Sequence, residues 1–175
     1  VIYKIKWSGI LTNAAIIWDQ LREKEPLMLE ELSKESGIYA LWDHTGEIRY
    51  IGATWEKTQG FKSRICGKHV TGEGSNAHKF SNYYREGRMW TQIGTPVNAH
   101  KDSKISKKLR SDFIRANCRA TSVGIARLFE EDDTAYKNRV GSFEKEVQKL
   151  ASESCHIWKN GETIKHEPIE LVDLI

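Results

Sequence analysis

Two apolar runs joined by a turn tetrad constrain this chain more than any other feature. Gly37-Ile38-Tyr39 begins the first run, and Arg49-Tyr50-Ile51-Gly52 ends the second. Between them lies Asp43-His44-Thr45-Gly46. β-Branched and aromatic residues on either side of an Asp/Gly turn read as an antiparallel hairpin. With a four-residue loop, Trp42 pairs with Glu47 and Tyr39 falls directly opposite Tyr50. Directly opposed residues share a face, so two phenols stand side by side on one small sheet.

The rest of the chain frames this hairpin. Residues 3 to 11 read as a short strand. Asn13 caps a helix to about residue 25 whose stripe is Ala14, Ile17, Trp18 and Leu21, and Pro26 stops it. Residues 27–34 read as a second short helix, making 1–35 an N-terminal arm on the main domain. After the hairpin, 58–69 has Phe61 and Ile65 at i, i+4. Asn76 caps a helix with Ala77, Phe80, Tyr83 and Tyr84 on its apolar side, and 88–103 reads as loop. Ser103 caps a helix to about 117 carrying Ile105, Leu109 and Phe113. A third strand over 122–129, an acidic loop and a long helix to about 152 follow. Residues 161–175 form a tail packing on the core, with a short strand near 168–174. The expected class is α+β: a small three-stranded, mainly antiparallel sheet flanked by helices. Its core spans 36–160, with a helical insertion over 70–120.

With 175 residues the chain can bury a core of its own. No apolar run approaches a membrane span of about 20 residues. Val1 opens the chain without a methionine, which points to a processed product or a fragment, and no secretory signal is recognisable. Cys66, Cys118 and Cys155 are odd in number and far apart, so a disulfide framework is not expected and a reducing cytoplasm fits. Cys66 with His69 and Cys155 with His156 lack a second matching pair at zinc-site spacing. The net charge of +3 is unevenly spread: residues 49–119 hold fifteen Lys/Arg against five Asp/Glu, so that segment carries +10 and the remainder −7. Such polarity suggests a polyanion partner; a solvated basic face would look the same.

The stretch Gly37-Ile38-Tyr39 … Tyr50-Ile51-Gly52 resembles the signature of the GIY-YIG nuclease family, well over residues 36–69 and loosely over 121–160. That resemblance implies phosphodiester hydrolysis by a hairpin tyrosine, an arginine and one metal-binding glutamate. Tyr39 and Tyr50 match the two family tyrosines, with either as the base; without the resemblance they read as strand aromatics packing a face. Arg64 is the candidate arginine, on the helix after the hairpin, about four residues later than the pattern expects. Arg49, Lys57 and Lys62 compete with it. His69 follows Arg64 by five residues where the pattern has four; Lys68 holds that slot, and His78 is an alternative. Glu144 is the candidate ligand for Mg²⁺ or Mn²⁺. Tyr136, Val140, Phe143, Val147, Leu150 and Ala151 form one face of the last helix; Glu144 lies at its edge, whereas Glu146 points away. Asn160 stands roughly where the family has an asparagine touching phosphate, although Asn160-Gly161 is also a turn dipeptide.

The segment 100–119 carries +5, and its Lys104, Lys107 and Lys108 form a phosphate-binding face if DNA is the ligand. Tyr84, Arg88 and Trp90 mix aromatics with cations, as base-reading surfaces do. The expectation is a metal-dependent endonuclease acting on double-stranded DNA, restriction-like and cutting as a homodimer, with no membrane partner. A homing, retroelement or repair nuclease domain is the alternative within the class. A nucleic-acid-binding module that has lost catalysis, and a protein-binding module with a basic face, are the alternatives outside it.

Overall fold

The computed structural model describes residues 13–56, 58–71, 79–84 and 104–158. The strand expected over 3–11, the caps Asn76 and Ser103, His78, Arg88, Trp90, Asn160 and the tail 161–175 lie outside the described residues. The chain is α+β: a four-stranded antiparallel sheet in the order β1-β4-β2-β3, with helices on both faces.

Helix α1 (Ala14–Glu23) starts where Asn13 Oδ1 accepts the Ile16 amide at 2.9 Å. It buries the expected stripe of Ala14, Ile17, Trp18 and Leu21. That stripe joins the same core as Ile38, Ala40, Ile51 and Val140, so α1 is part of the sheet's own packing. Past Pro26 the chain departs from the expected helix. Residues 27–34 are not one helix: β1 (Leu27–Met28) pairs with Ala120 and Arg119, and a single 3₁₀ turn covers Leu29–Glu31. This short edge strand is the fourth strand that the three-strand expectation lacked. Leu29 and Leu32 still sit three apart and buried, a spacing that a helix and the real turn both satisfy.

Strand β2 (Gly37–Trp42) is central, between β3 (Ile48–Thr54) and β4 (Arg119–Gly124). Gly37 has φ +152°, and a Cβ there would meet the Val123 carbonyl oxygen at 2.2 Å. Only glycine can open this strand so close to β4. Strand β4 starts and ends earlier than the expected 122–129. It leaves the sheet after Gly124, where the Ile125 amide donates to Ser36 O at 3.0 Å. Tyr136 Oη donates to the Ile125 carbonyl at 2.7 Å.

One sheet face carries Tyr39, Leu41 and Ala120 and is covered by α2 (Phe61–Arg64), α3 (Lys79–Tyr83) and α4 (Lys104–Asn117). The other carries Ile38, Ala40, Ile51 and Ala53 and packs on α1 and α5 (Asp133–Ser154). Alternation along the strands sorts the residues into these layers. Each fully buried Ile, Leu or Phe in them contributes about 1.5–3 kcal/mol against exposure. Trp158 closes the first layer, stacked on Tyr83 at 4.3 Å with its amide on Arg49 O at 2.9 Å.

Candidate active site

The hairpin loop is built on one buried carboxylate. Asp43, only 1 % exposed, accepts the Thr45 amide and hydroxyl and the Glu47 amide on Oδ1, at 2.8, 2.6 and 3.0 Å. Its Oδ2 takes Arg49 Nε at 2.7 Å. Burial alone would raise this carboxyl's pKa; the bonds from Thr45, Arg49 and Glu47 outweigh it and hold the pKa below the usual range.

These bonds change the register. Trp42 pairs with Ile48 and Leu41 with Tyr50, so Arg49 has no opposite residue and forms a bulge. Tyr39 therefore lies opposite Gly52, not opposite Tyr50. The slip is two residues, and strand alternation has period two. Both phenols thus remain on one face as diagonal neighbours, ring centres 6.3 Å apart and 27° from parallel. Gly52 makes the diagonal possible. A Cβ there would stand 2.6 Å from Tyr39 Oη and 2.7 Å from Tyr50 Cε1.

Helix α2 brings the next two groups. Phe61 and Ile65 anchor it in the core, and Arg64 stands between them in sequence. The helix then widens into a π-helical turn over Ile65–Val70. A π turn is wider than an α turn, and with that widening His69, not Lys68, is the residue carried to the buried side. Lys68, the occupant of the four-residue slot, is half-buried, while His69 is 1 % exposed. His69 Nε2 lies 2.6 Å from Tyr39 Oη, and its ring centre is 4.7 Å from that of Tyr50.

Glu144 arrives from α5, which packs beside the edge strand β3. It is half-buried and Glu146 is exposed, as the helical phase requires. Gln148 Nε2 donates to the Ile51 carbonyl at 3.1 Å and to Glu144 Oε1 at 3.3 Å. Gln148 is absent from the residues expected at the site, although its place at i+4 from Glu144 is an available signal.

Four of these groups, Tyr39, Tyr50, Arg64 and Glu144, share one electrostatic environment. Burial, then the neighbouring Tyr50, push the Tyr39 hydroxyl well above the ordinary tyrosine value, with Arg64 opposing. Burial and the Glu144 charge push Tyr50 up to about 12, again against Arg64. Burial raises Glu144, opposed by Arg64 and Lys145. Arg64 is thus the cation common to all three. Its Nε is buried without a hydrogen-bond partner among the described residues, a donor in need of an acceptor.

The donor set suits a hard cation held jointly with substrate oxygens. Glu144 is one carboxylate with no ion pair among the described residues, and no group of three His, Cys, Asp or Glu gathers among them. Mg²⁺ commonly takes one or two carboxylates and fills its sphere with water and phosphate oxygens. The cysteines are free: Cys118 is buried, and Cys66 and Cys155 are half-buried.

The remaining expected residues divide. Lys107 and Lys108 are exposed on α4, Lys108 tied to Asp112 one turn on; Lys104 opens the same helix. Arg110 of that segment is buried and donates to Thr71 O at 3.1 Å, and Arg115 pairs with Glu30. Tyr84 requires correction. It is 1 % exposed, packed on Phe80, Phe113 and Trp158, with Cys118 Sγ and the His44 amide within 3.3 Å of its hydroxyl. A ring in that position is core and cannot stack on a base. Arg49, a competitor of Arg64, is committed to Asp43.

No protein-family model, curated protein or solved structure matches this chain.

Proposed function

We propose that this protein is a metal-dependent DNA endonuclease of the GIY-YIG type, cutting at specific sites as restriction enzymes do. The observation that carries the reading is convergence. Tyr39, Tyr50, Arg64, His69 and Glu144, selected from three separate stretches of sequence, interact around one end of the hairpin. A hairpin that merely packed aromatics would not also need a half-buried carboxylate and an unpartnered guanidinium nitrogen beside it.

A divalent cation bound by Glu144 would neutralise charge on the phosphoryl oxygens and cancel the carboxylate charge that now raises both phenols. Arg64 clamps a non-bridging oxygen, its fork suiting phosphate better than a lysine. Tyr39 or Tyr50 takes the proton of the attacking water: the Tyr39 hydroxyl has an imidazole nitrogen at 2.6 Å to receive its own proton but is buried, and Tyr50 is half-buried and reachable by water. His69 is the proton acceptor behind Tyr39 and returns the proton toward the leaving oxygen.

Plasmid and genomic DNA incubated with Mg²⁺, and in parallel with EDTA, test the proposal. Discrete mapped ends in Mg²⁺ alone support site-specific cleavage; random ends leave the nuclease and remove the specificity. One observation favours the inactive binding module: both phenols stand above their ordinary pKa in the protein by itself. DNA binding without cleavage in either Mg²⁺ or Mn²⁺ would select that module.

Tyr39→Phe should fold, losing one buried hydrogen bond worth about 1 kcal/mol, and should lose about 10²-fold or more in cleavage rate. Tyr50→Phe should fold as well, and the variant with the larger loss marks the base. If both variants cut at the wild-type rate, phenol chemistry is absent from the mechanism.

Changing Lys104, Lys107 and Lys108 together to Ala should weaken binding to all DNA sequences. The log–log salt slope should flatten by up to ~0.9 for each phosphate that the variant no longer neutralises. The Lys108–Asp112 pair is exposed, and such pairs are too weak to withhold a lysine from phosphate. Unchanged binding at every salt concentration would put the DNA on another face.

A further inference from the structure

Helix α5 is laid along the edge strand β3 by two ties. Gln148 Nε2 donates to the Ile51 carbonyl at 3.1 Å, and Lys137 Nζ stands over the ring of Trp55, 5.5 Å from its centre. The helix therefore runs against the direction of the strand, with Glu144 between the two ties. Lys137, Glu144 and Gln148 stand at i, i+7 and i+11, on one stripe of the helix. Gly141 lies between Lys137 and Glu144 beside that stripe, and a Cβ there would meet nothing within 4 Å. No side chain of α5 stands on that stripe between Glu144 and Lys137.

The ammonium of Lys137 is held in place without being neutralised. Its neighbours on this end of α5 are committed: Arg127 to Asp133 and Arg139 to Glu131, each at 2.7 Å. Lys137 is exposed and makes no ion pair among the described residues, although Asp133 stands one turn before it and Glu56 follows Trp55. A carboxylate partner would cancel the charge and occupy the donors. An indole face attracts the charge through its ring quadrupole and supplies no oxygen to the N–H groups. Lysine is otherwise a point charge on a flexible stem. The Trp55 ring, half-buried against the core layer of α1 and α5, fixes where that charge stands. Lys137 precedes Glu144 by seven residues, about 10 Å along the helix. One strand of a duplex carries a phosphate about every 3.4 Å of axis, so a strand with its scissile phosphate at Glu144 can bring a phosphate about three nucleotides away to Lys137.

We infer that Lys137, propped on Trp55, binds a phosphate of the strand being cut, about two or three nucleotides from the scissile bond. The strand then runs along the β3 edge from Glu144 toward the N-terminus of α5. The inference rests on the nuclease reading for the position of the scissile phosphate. It gives the substrate a direction at the site, which the α4 lysines on the opposite face of the sheet do not.

The test uses the full chain and duplexes spanning one mapped wild-type cut. Each duplex carries a single methylphosphonate, a neutral group in place of one phosphate, at successive positions on either side of the cut. Wild type should be slowed by about tenfold at one flanking position within about three nucleotides, besides the scissile position itself. Lys137→Met should cut the unmodified duplex about tenfold more slowly and show no further penalty at that flanking position, with the other penalties unchanged. Lys137→Arg, which keeps the charge and can lie on the same ring, should behave nearly as wild type, and Trp55→Leu should lose part of the flanking penalty. Melting of Lys137→Met should stay near wild type, because the side chain is exposed. A Lys137→Met protein that keeps every wild-type penalty overturns the inference and leaves the nuclease reading standing, as does a wild type with no flanking penalty. If wild type binds the duplex without cutting it, the nuclease reading fails and binding decides. Lys137→Met should then flatten the log–log salt slope by up to ~0.9, and an unchanged slope overturns the phosphate contact. Absence of both cutting and binding removes both readings.

Discussion

Glu144→Gln should reduce cleavage by about 10³-fold or more while leaving DNA affinity nearly intact. A carboxylate that holds the cation contributes several kcal/mol of charge stabilisation, and each 1.36 kcal/mol is a factor of ten. The lysines of α4 that would meet the DNA backbone are elsewhere on the surface and are untouched. The same substitution should make the protein more stable near neutral pH in EDTA. Burial raises the Glu144 pKa above 4.5 in the folded protein. The folded state therefore binds that proton more tightly than the unfolded chain. The resulting stabilisation is complete below the unfolded value and is lost as pH rises through the raised folded value. Glutamine resembles the protonated carboxyl and can keep the contact with Gln148. The melting temperature of the variant should exceed wild type at pH 7 to 8, and the gap should close as pH falls toward 4.5. A paired gain in stability and loss of cutting would mark Glu144 as a group kept for chemistry. Full cleavage in Glu144→Gln together with loss in Glu146→Gln would show that the metal is held by the other carboxylate.

Gly52→Ala should cost about 1–3 kcal/mol and most of the cleavage activity. The new Cβ would stand 2.6 Å from Tyr39 Oη, 2.7 Å from Tyr39 Cζ and 2.7 Å from Tyr50 Cε1. Tyr39 has nowhere to retreat: Phe61 meets it edge-on at 6.3 Å and His69 at 5.6 Å. Moving its hydroxyl breaks the 2.6 Å contact with His69, and a displacement near 1 Å in such a site can cost about 10²-fold. Gly141→Ala is the control. A Cβ there meets nothing within 4 Å, and the residue lies inside α5. Alanine in a helix interior is favoured over glycine by about 0.8–1 kcal/mol, so this variant should be more stable and cut normally. Thermal melting and cleavage of the two variants side by side check the contrast. A well-folded, active Gly52→Ala protein would mean that the tyrosine pair is not held by this contact.

What could be read from the sequence is what depends on local period. The hairpin, the shared face of Tyr39 and Tyr50, the buried stripe of α1 and the half-buried position of Glu144 beside an exposed Glu146 all follow from repeats of 2 or 3.6 residues. Such repeats survive without knowledge of any partner. The shared face survived even a wrong register, because the error was two residues and the period is two. What only the tertiary structure decided depends on distant partners. The register turns on Asp43 drawing Arg49 out of the ladder, a bond between side chains that no strand pattern encodes. The π turn that carries His69 to Tyr39 is written in no propensity; the core contacts of Phe61, Ile65 and Val70 hold it. Tyr84 reads as a member of a nucleic-acid face until Phe80, Phe113 and Trp158 enclose it. Leu128 and Phe129 read as strand because they are apolar, yet Ile125 and Tyr136 turn the chain away before the strand can extend. Apolar character says that a residue gains by leaving water; which neighbour removes it from water is decided by geometry across the whole fold.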